Sequence, residues 1–145
     1  MQPDVIPSIN RPAGIPAHWS RWPGVSGDAP VIFYMHGGGF TAGCPEGYRM
    51  FSGQMSRVTK CRVLLVAYRL APEHKMPAGV EDIVEAYKWL IQKQSPSRII
   101  FAGDSAGGGM TALALQSIAA RGLPRPAGGI LMSPWLDFSN TLPSR

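Results

Sequence analysis

The feature that most constrains this chain is the run Ile99-Ile100-Phe101-Ala102-Gly103-Asp104-Ser105-Ala106-Gly107-Gly108-Gly109, which leads into the small, apolar stretch from Met110 to Ala120. It reads as strand, sharp turn, helix. At the turn sits Gly103-x-Ser105-x-Gly107, the nucleophile-elbow pattern, in the strand-to-helix context that gives the pattern meaning. A serine in a strained turn needs neighbours without a Cβ where the two elements nearly touch, and glycine flanks it on both sides. Ala106 and Gly107 would also open a helix, whose unpaired N–H groups favour a developing negative charge. One segment thus offers a nucleophile, Ser105, with a hydrogen-bond donor beside it. A glycine-rich turn that happens to hold a serine is the competing reading, and other segments must separate the two.

The chain has 145 residues, 45% of them hydrophobic, enough for one soluble domain with a core. Its 17 glycines and 14 prolines lie between apolar runs and form no low-complexity tract, which argues against disorder except at the ends. A formal charge of +5 could suit a polyanion, but the Lys and Arg residues are scattered singly from Arg11 to Arg145, so nucleic-acid binding is not expected. No stretch has the length of a membrane span, and Met1-Gln2-Pro3-Asp4 does not begin a signal peptide, so a cytoplasmic protein without membrane association is expected. Cys44 and Cys61 lack metal-ligand spacing and read as ordinary thiols; no metal is expected.

Residues 1–30 are rich in proline and glycine and read as an irregular or β-hairpin lead-in, with His18 on a surface or edge strand. Four later runs are continuously apolar and β-prone: Val31 to Met35, Val63 to Ala67, Ile99 to Ala102 and Ile130 to Met132. Continuous apolarity marks strands covered on both faces, hence a mostly parallel sheet between helical layers. Between Glu46 and Lys60, Tyr48, Phe51, Met55 and Val58 share one helical face. Between Ala78 and Gln92, Val80, Ile83, Val84, Tyr87, Leu90 and Ile91 do the same, with Glu81, Asp82, Glu85 and Lys88 opposite. Residues 106–120 are apolar nearly all round, as a buried central helix would be. Alternating strands and helices predict a doubly wound α/β fold, with its binding crevice at the carboxyl ends of the strands.

At one of those ends, after Val31 to Met35, comes His36-Gly37-Gly38-Gly39-Phe40. Three glycines let the backbone aim N–H groups at an oxygen acquiring negative charge. Gly37-x-Gly39-x-x-Ala42 also fits a dinucleotide fingerprint, but Cys44-Pro45 interrupts the helix it must open and no acidic residue ends the next strand, so no nucleotide cofactor is expected.

Four motifs in order, His36-Gly-Gly-Gly-Phe40, Tyr68-Arg69-Leu70-Ala71-Pro72-Glu73-His74, Gly103-Asp-Ser-Ala-Gly-Gly108 and Ser133-Pro134-Trp135-Leu136-Asp137, resemble the hormone-sensitive-lipase-like branch of the α/β-hydrolases, often labelled α/β-hydrolase fold 3. The likeness runs from about Gly14 to the end. It implies a serine carboxylesterase or lipase-like enzyme, without cofactor, that acts on a small ester substrate. By position, Ser105 matches the nucleophile, and the N–H groups of Gly38, Gly39 and Ala106 match the oxyanion hole. Gly37 shapes the loop and His36 supports it without being the base. Asp104 and Glu73 match supporting positions that stiffen the elbow and crevice, or are merely polar ends of elements. Tyr68, Arg69 and Trp135 read as packing and hydrogen-bonding residues around the strand ends.

A serine hydroxyl needs a base, and the base an acid that orients it. In this superfamily the order is Ser, then Asp or Glu, then His. His18, His36 and His74 all precede Ser105, and Asp137, the one acid after it, belongs to a motif that shapes the site. The expectation is therefore the N-terminal portion of such an enzyme, residues 31–145 forming part of its catalytic domain and the sheet stopping after about the sixth strand. Weak or no activity alone follows, with Ile130 to Met132 as an open edge. The rival expectation is a non-catalytic remnant that uses that edge to bind a complementing C-terminal segment or another copy.

Overall fold

Continuous apolar runs become the middle of a sheet because both faces of those strands are covered. A computed structural model describes residues 12–137 and 139. Its strands are β1 (Ala17–Ser20), β2 (Val31–Met35), β3 (Arg62–Val66), β4 (Ile99–Asp104) and β5 (Gly128–Met132). They form one five-stranded sheet in the order β1-β3-β2-β4-β5. All pairings are parallel except that of β1 with β3, so the sheet is mixed with a parallel centre. The reading of residues 1–11 as lead-in lies outside the described residues. Within 12–30, β1 joins the edge of the main sheet beside β3 and makes no hairpin with β2.

The pleat sends alternate residues to opposite faces. Phe33, Met35, Leu64, Val66, Ile99 and Phe101 face one layer, which contains α2 (Ala78–Leu90) and α3 (Ala106–Ala120). Phe101 is its hub, edge-on to Phe33 at 4.9 Å and to Tyr87 at 5.0 Å. Ile32, Tyr34, Val63, Leu65 and Ala102 face the other layer, toward Met55 of α1 (Arg49–Thr59) and Tyr48 just before it.

Two helix faces differ from the periodicity. In α1 the buried residues are Ser52, Gly53 and Ser56, while Phe51 and Val58 are 44% and 75% exposed. Small hydroxyl residues let the helix lie close to the sheet edge: Ser52 and Ser20 share a 2.6 Å hydrogen bond, and Ser56 Oγ accepts from Trp22 N–H and donates to the Cys61 carbonyl. In α2 the expected apolar side is buried, but Asp82, assigned to the polar side, is only 7% exposed. Arg69 accounts for it by binding that carboxylate through its backbone N–H and its guanidinium. The helix α3 is buried from Ala106 through Thr111 and opens to solvent toward Ala120.

The strand order creates a switch point. After β2 the chain passes to α1 on one face, and after β4 it passes to α3 on the other, while β2 and β4 lie side by side with Met35 opposite Gly103. A crevice opens where neighbouring strands send their connections to opposite faces. At the far edge β5 is thinly covered, with Ile130 51% exposed.

Candidate active site

Ser105 sits between the last residue of β4 and the first of α3, exposed, at φ 52° and ψ −120°. Such a conformation costs a side-chain-bearing residue about 1–3 kcal/mol and persists only where its surroundings impose it. Here Ser105 N–H donates to the Met132 carbonyl at 2.9 Å, and the Ser105 carbonyl accepts from Trp135 N–H at 2.9 Å and Gly109 N–H at 3.2 Å. The strand β5 and the loop after it thus grip both sides of the turn. A Cβ on Gly107 would lie 2.1 Å from the Met35 carbonyl, so α3 starts directly against the exit of β2. Ala106, the first residue of α3, is fully buried there.

The glycine loop leaves that same exit. Gly38 has φ 130°, and a Cβ on it would collide with the Ala42 carbonyl. Its own carbonyl accepts from Ala42 N–H at 2.9 Å and Thr41 N–H at 3.2 Å, which curls the segment into a tight turn with Gly38 and Gly39 exposed. Phe40 follows at φ 65° and meets the Trp135 ring at 5.5 Å. His36 is 1% exposed, stacked on Tyr68 at 4.6 Å, with Nδ1 2.8 Å from the Gly37 carbonyl. Since a carbonyl only accepts, the ring carries its proton on Nδ1. Burial holds the His36 pKa below its ordinary 6.5, favouring the neutral ring. Tyr68 O–H donates to the His36 carbonyl at 2.5 Å, and burial drives its own pKa upward.

Elbow and loop are joined through Asp104. Its Oδ1 accepts from Gly37 N–H at 3.0 Å and Tyr34 O–H at 2.9 Å, and its Oδ2 accepts from Tyr48 O–H at 2.9 Å. The pKa values of both phenols are pushed up, first by burial and then by the carboxylate they bind. Glu73 stands apart: it is exposed in the turn after Pro72, and among the described residues no hydrogen bond joins it to Asp104 or the glycine loop. His74 is exposed and lines a small crevice with Phe40, Tyr68 and Met110. His18 lies on β1, its Nε2 enclosed with no hydrogen-bond partner among the described residues. Trp135 Nε1–H donates to the Asp137 carbonyl. A pocket of about 370 Å³ lined by Trp19, Arg62, Trp89 and Lys93 lies at the amino end of β3, away from Ser105. Among the described residues no cluster of His, Cys, Asp or Glu has the makings of a metal site.

Sequence reasoning missed the phenols of Tyr34 and Tyr48. The available signal was chemical: a tyrosine inside an apolar strand or helix face still needs a partner for its hydroxyl.

The family model described as alpha/beta hydrolase fold matches residues 32–145. The chain is similar to an acetyl-hydrolase of Streptomyces hygroscopicus, 39% identical over 113 residues, covering 77% of this chain and 38% of that protein. It is also similar to the carboxylic ester hydrolase LipN of Mycobacterium tuberculosis, 38% identical over 143 residues, covering 91% and 38%. Among solved structures, an esterase from the bacterial hormone-sensitive lipase family superposes with a TM-score of 0.85 at 45% identity, covering 90% of this chain and 44% of that one. The chain therefore spans well under half the length of these relatives.

Proposed function

Because the chain belongs to the α/β-hydrolase fold family, in the hormone-sensitive-lipase-like branch of carboxylic ester hydrolases, we propose that it carries the nucleophile and oxyanion hole of a serine carboxylesterase. The observation that carries the reading is Ser105 held at positive φ on a strand-to-helix turn, beside a glycine loop tied to the preceding residue, Asp104.

In this reading Ser105 Oγ attacks the carbonyl of a small ester. The N–H groups of Gly38, Gly39 and Ala106 receive the oxyanion, each such donor being worth about 3 kcal/mol in the transition state. Collapse expels the alcohol and leaves an acyl-serine, and water then releases the acid. The proton of Ser105 goes to a histidine from outside these residues. His36 is buried with Nδ1 engaged on Gly37, and no histidine follows Ser105. The 145 residues alone then hydrolyse esters weakly or not at all, since sites stripped of a triad member keep only about 10³–10⁴-fold over water. Glu73 supports the crevice, and residues 31–145 are part of one catalytic domain whose sheet β1 joins at its edge. The free thiols of Cys44 and Cys61 fit a cytoplasmic setting. Among the described residues no helix is long and apolar enough to cross a membrane.

The test is hydrolysis of a p-nitrophenyl acyl ester by the natural polypeptide that contains these residues. Turnover is expected to vanish in Ser105→Ala; unchanged turnover would end the assignment. The edge position of β5, with Ile130 half exposed, favours a second reading in which a complementing segment or a second copy pairs there. A chain that stays monomeric and gains no activity from the added segment would remove it.

A further inference from the structure

We propose that Tyr48 is a positioning residue that latches the start of the oxyanion loop to the nucleophile elbow, a role that rests on the esterase reading of Ser105.

Among the described residues the phenol occupies a bridging place that no other side chain shares. Its oxygen lies 2.9 Å from Asp104 Oδ2 and 3.0 Å from Gly37 N. A phenol has one proton, and a carboxylate can only accept. Tyr48 therefore donates to Asp104 and accepts from Gly37, whose N–H is shared with Asp104 Oδ1. One hydroxyl thus fixes both the rotation of the carboxylate and the direction of the first amide of the loop. The fit is close: a Cβ on Gly37 would sit 2.4 Å from Asp104 Oδ2. Tyr34 supplies the contrast, since its hydroxyl reaches Asp104 Oδ1 without touching Gly37. The rings of His36, Tyr34 and Phe51, each within about 6 Å of the Tyr48 ring, hold it in place. Tyr48 comes from the turn that opens α1, so the same contact carries the position of that helix to the loop.

The geometry matters because oxyanion donors act only if their direction is set before charge develops. Gly38 and Gly39 follow Gly37 directly. A Gly37 amide free to swing would carry them with it, leaving substrate binding in the ground state largely unaffected and raising the barrier.

Tyr48→Phe and Tyr34→Phe, each keeping its ring, separate the roles. Amide hydrogen exchange at Gly37 is read by NMR without substrate, and steady-state hydrolysis of a p-nitrophenyl ester is read alongside. In Tyr48→Phe, Gly37 exchange is expected to rise about tenfold, as losing a net hydrogen bond implies, and kcat to fall about tenfold with KM within about twofold. In Tyr34→Phe both changes stay below about threefold. Unchanged Gly37 exchange in Tyr48→Phe, equal effects of the two variants, or a change in KM alone would overturn the proposal. Should Tyr48→Phe not fold, Asp104→Asn keeps an acceptor for Gly37 but presents an NH₂ group to Tyr48; faster Gly37 exchange is then expected, and unchanged exchange overturns the latch. Absence of Ser105-dependent hydrolysis in the unmodified protein overturns the esterase reading alone, since exchange at Gly37 still decides whether the latch exists.

Discussion

Asp82 and Asp104 each gather several hydrogen bonds, and they are compensated in opposite ways. Asp82, 7% exposed on α2, is met by the cation of Arg69, whose guanidinium and backbone N–H all converge on it. Asp104, at the end of β4, is met by two phenols and one backbone amide, with no cation in contact among the described residues. The ion pair cancels a charge and anchors the segment after β3. The phenol cluster satisfies the lone pairs of its carboxylate but leaves the negative charge in place, one residue from Ser105. In the esterase reading, a residual negative charge there favours a base that becomes positive when it takes the serine proton. In that reading it also makes firm placement of the proposed oxyanion donors more necessary, because it repels the oxyanion they would hold.

The largest effect is expected from Asp104→Ala, which leaves two phenols short of their acceptor and the Gly37 amide with the Tyr48 oxygen alone. Unpaired buried donors cost about 1–3 kcal/mol each, so a loss near 3 kcal/mol in urea denaturation is expected after partial relaxation, with a deeper loss of kcat than in Tyr48→Phe. Arg69→Met should lower the urea midpoint by leaving Asp82 without its cation, yet leave the Gly37 amide as protected as before; deprotection there would erase the distinction between the two carboxylates.

Acid probes the loop side through His36. Burial lowers its pKa in the folded state, so below 6.5 the unfolded chain takes up protons that the folded chain does not. Stability is thus full above 6.5 and declines as pH falls from there toward the lowered value; His18, shifted the same way, adds to the slope. In denaturant midpoints measured from pH 8 to pH 5, His36→Gln should flatten the decline, and an unaltered slope would place the protons elsewhere. The smallest effect is expected from salt. Arg69 is 47% exposed, so 1 M salt should trim the contribution of its pair only slightly, while the difference between Tyr34→Phe and the unmodified protein stays constant.

Strands were legible because apolar runs such as Val31 to Met35 admit few other placements, and α3 because the elbow glycines lead into the small, apolar run from Met110 to Ala120. The elbow and the glycine loop were legible for a related reason: both depend on local backbone requirements that only certain residues meet. Helix faces were less so. The periodicity of α1 weighed Phe51 and Val58 by hydrophobicity, whereas close approach to the sheet edge selected Ser52, Gly53 and Ser56. Asp82 was misplaced because its partner lies 13 residues away in a loop, and the hydroxyl of Tyr48, read only as part of an apolar face, was missed because its partner lies 56 residues away. Hydropathy carries no information about such pairings. Glu73, matched by motif alone, lies exposed to solvent.

The account turns on Ser105 being the atom that becomes acylated. The direct measurement is intact-mass and peptide mass spectrometry of the natural polypeptide treated with a p-nitrophenyl phosphonate, which traps an activated serine as a stable tetrahedral adduct. A single adduct on the peptide containing Ser105, absent in Ser105→Ala, is the expected result. An adduct on any other residue, or one that persists in Ser105→Ala, would contradict it.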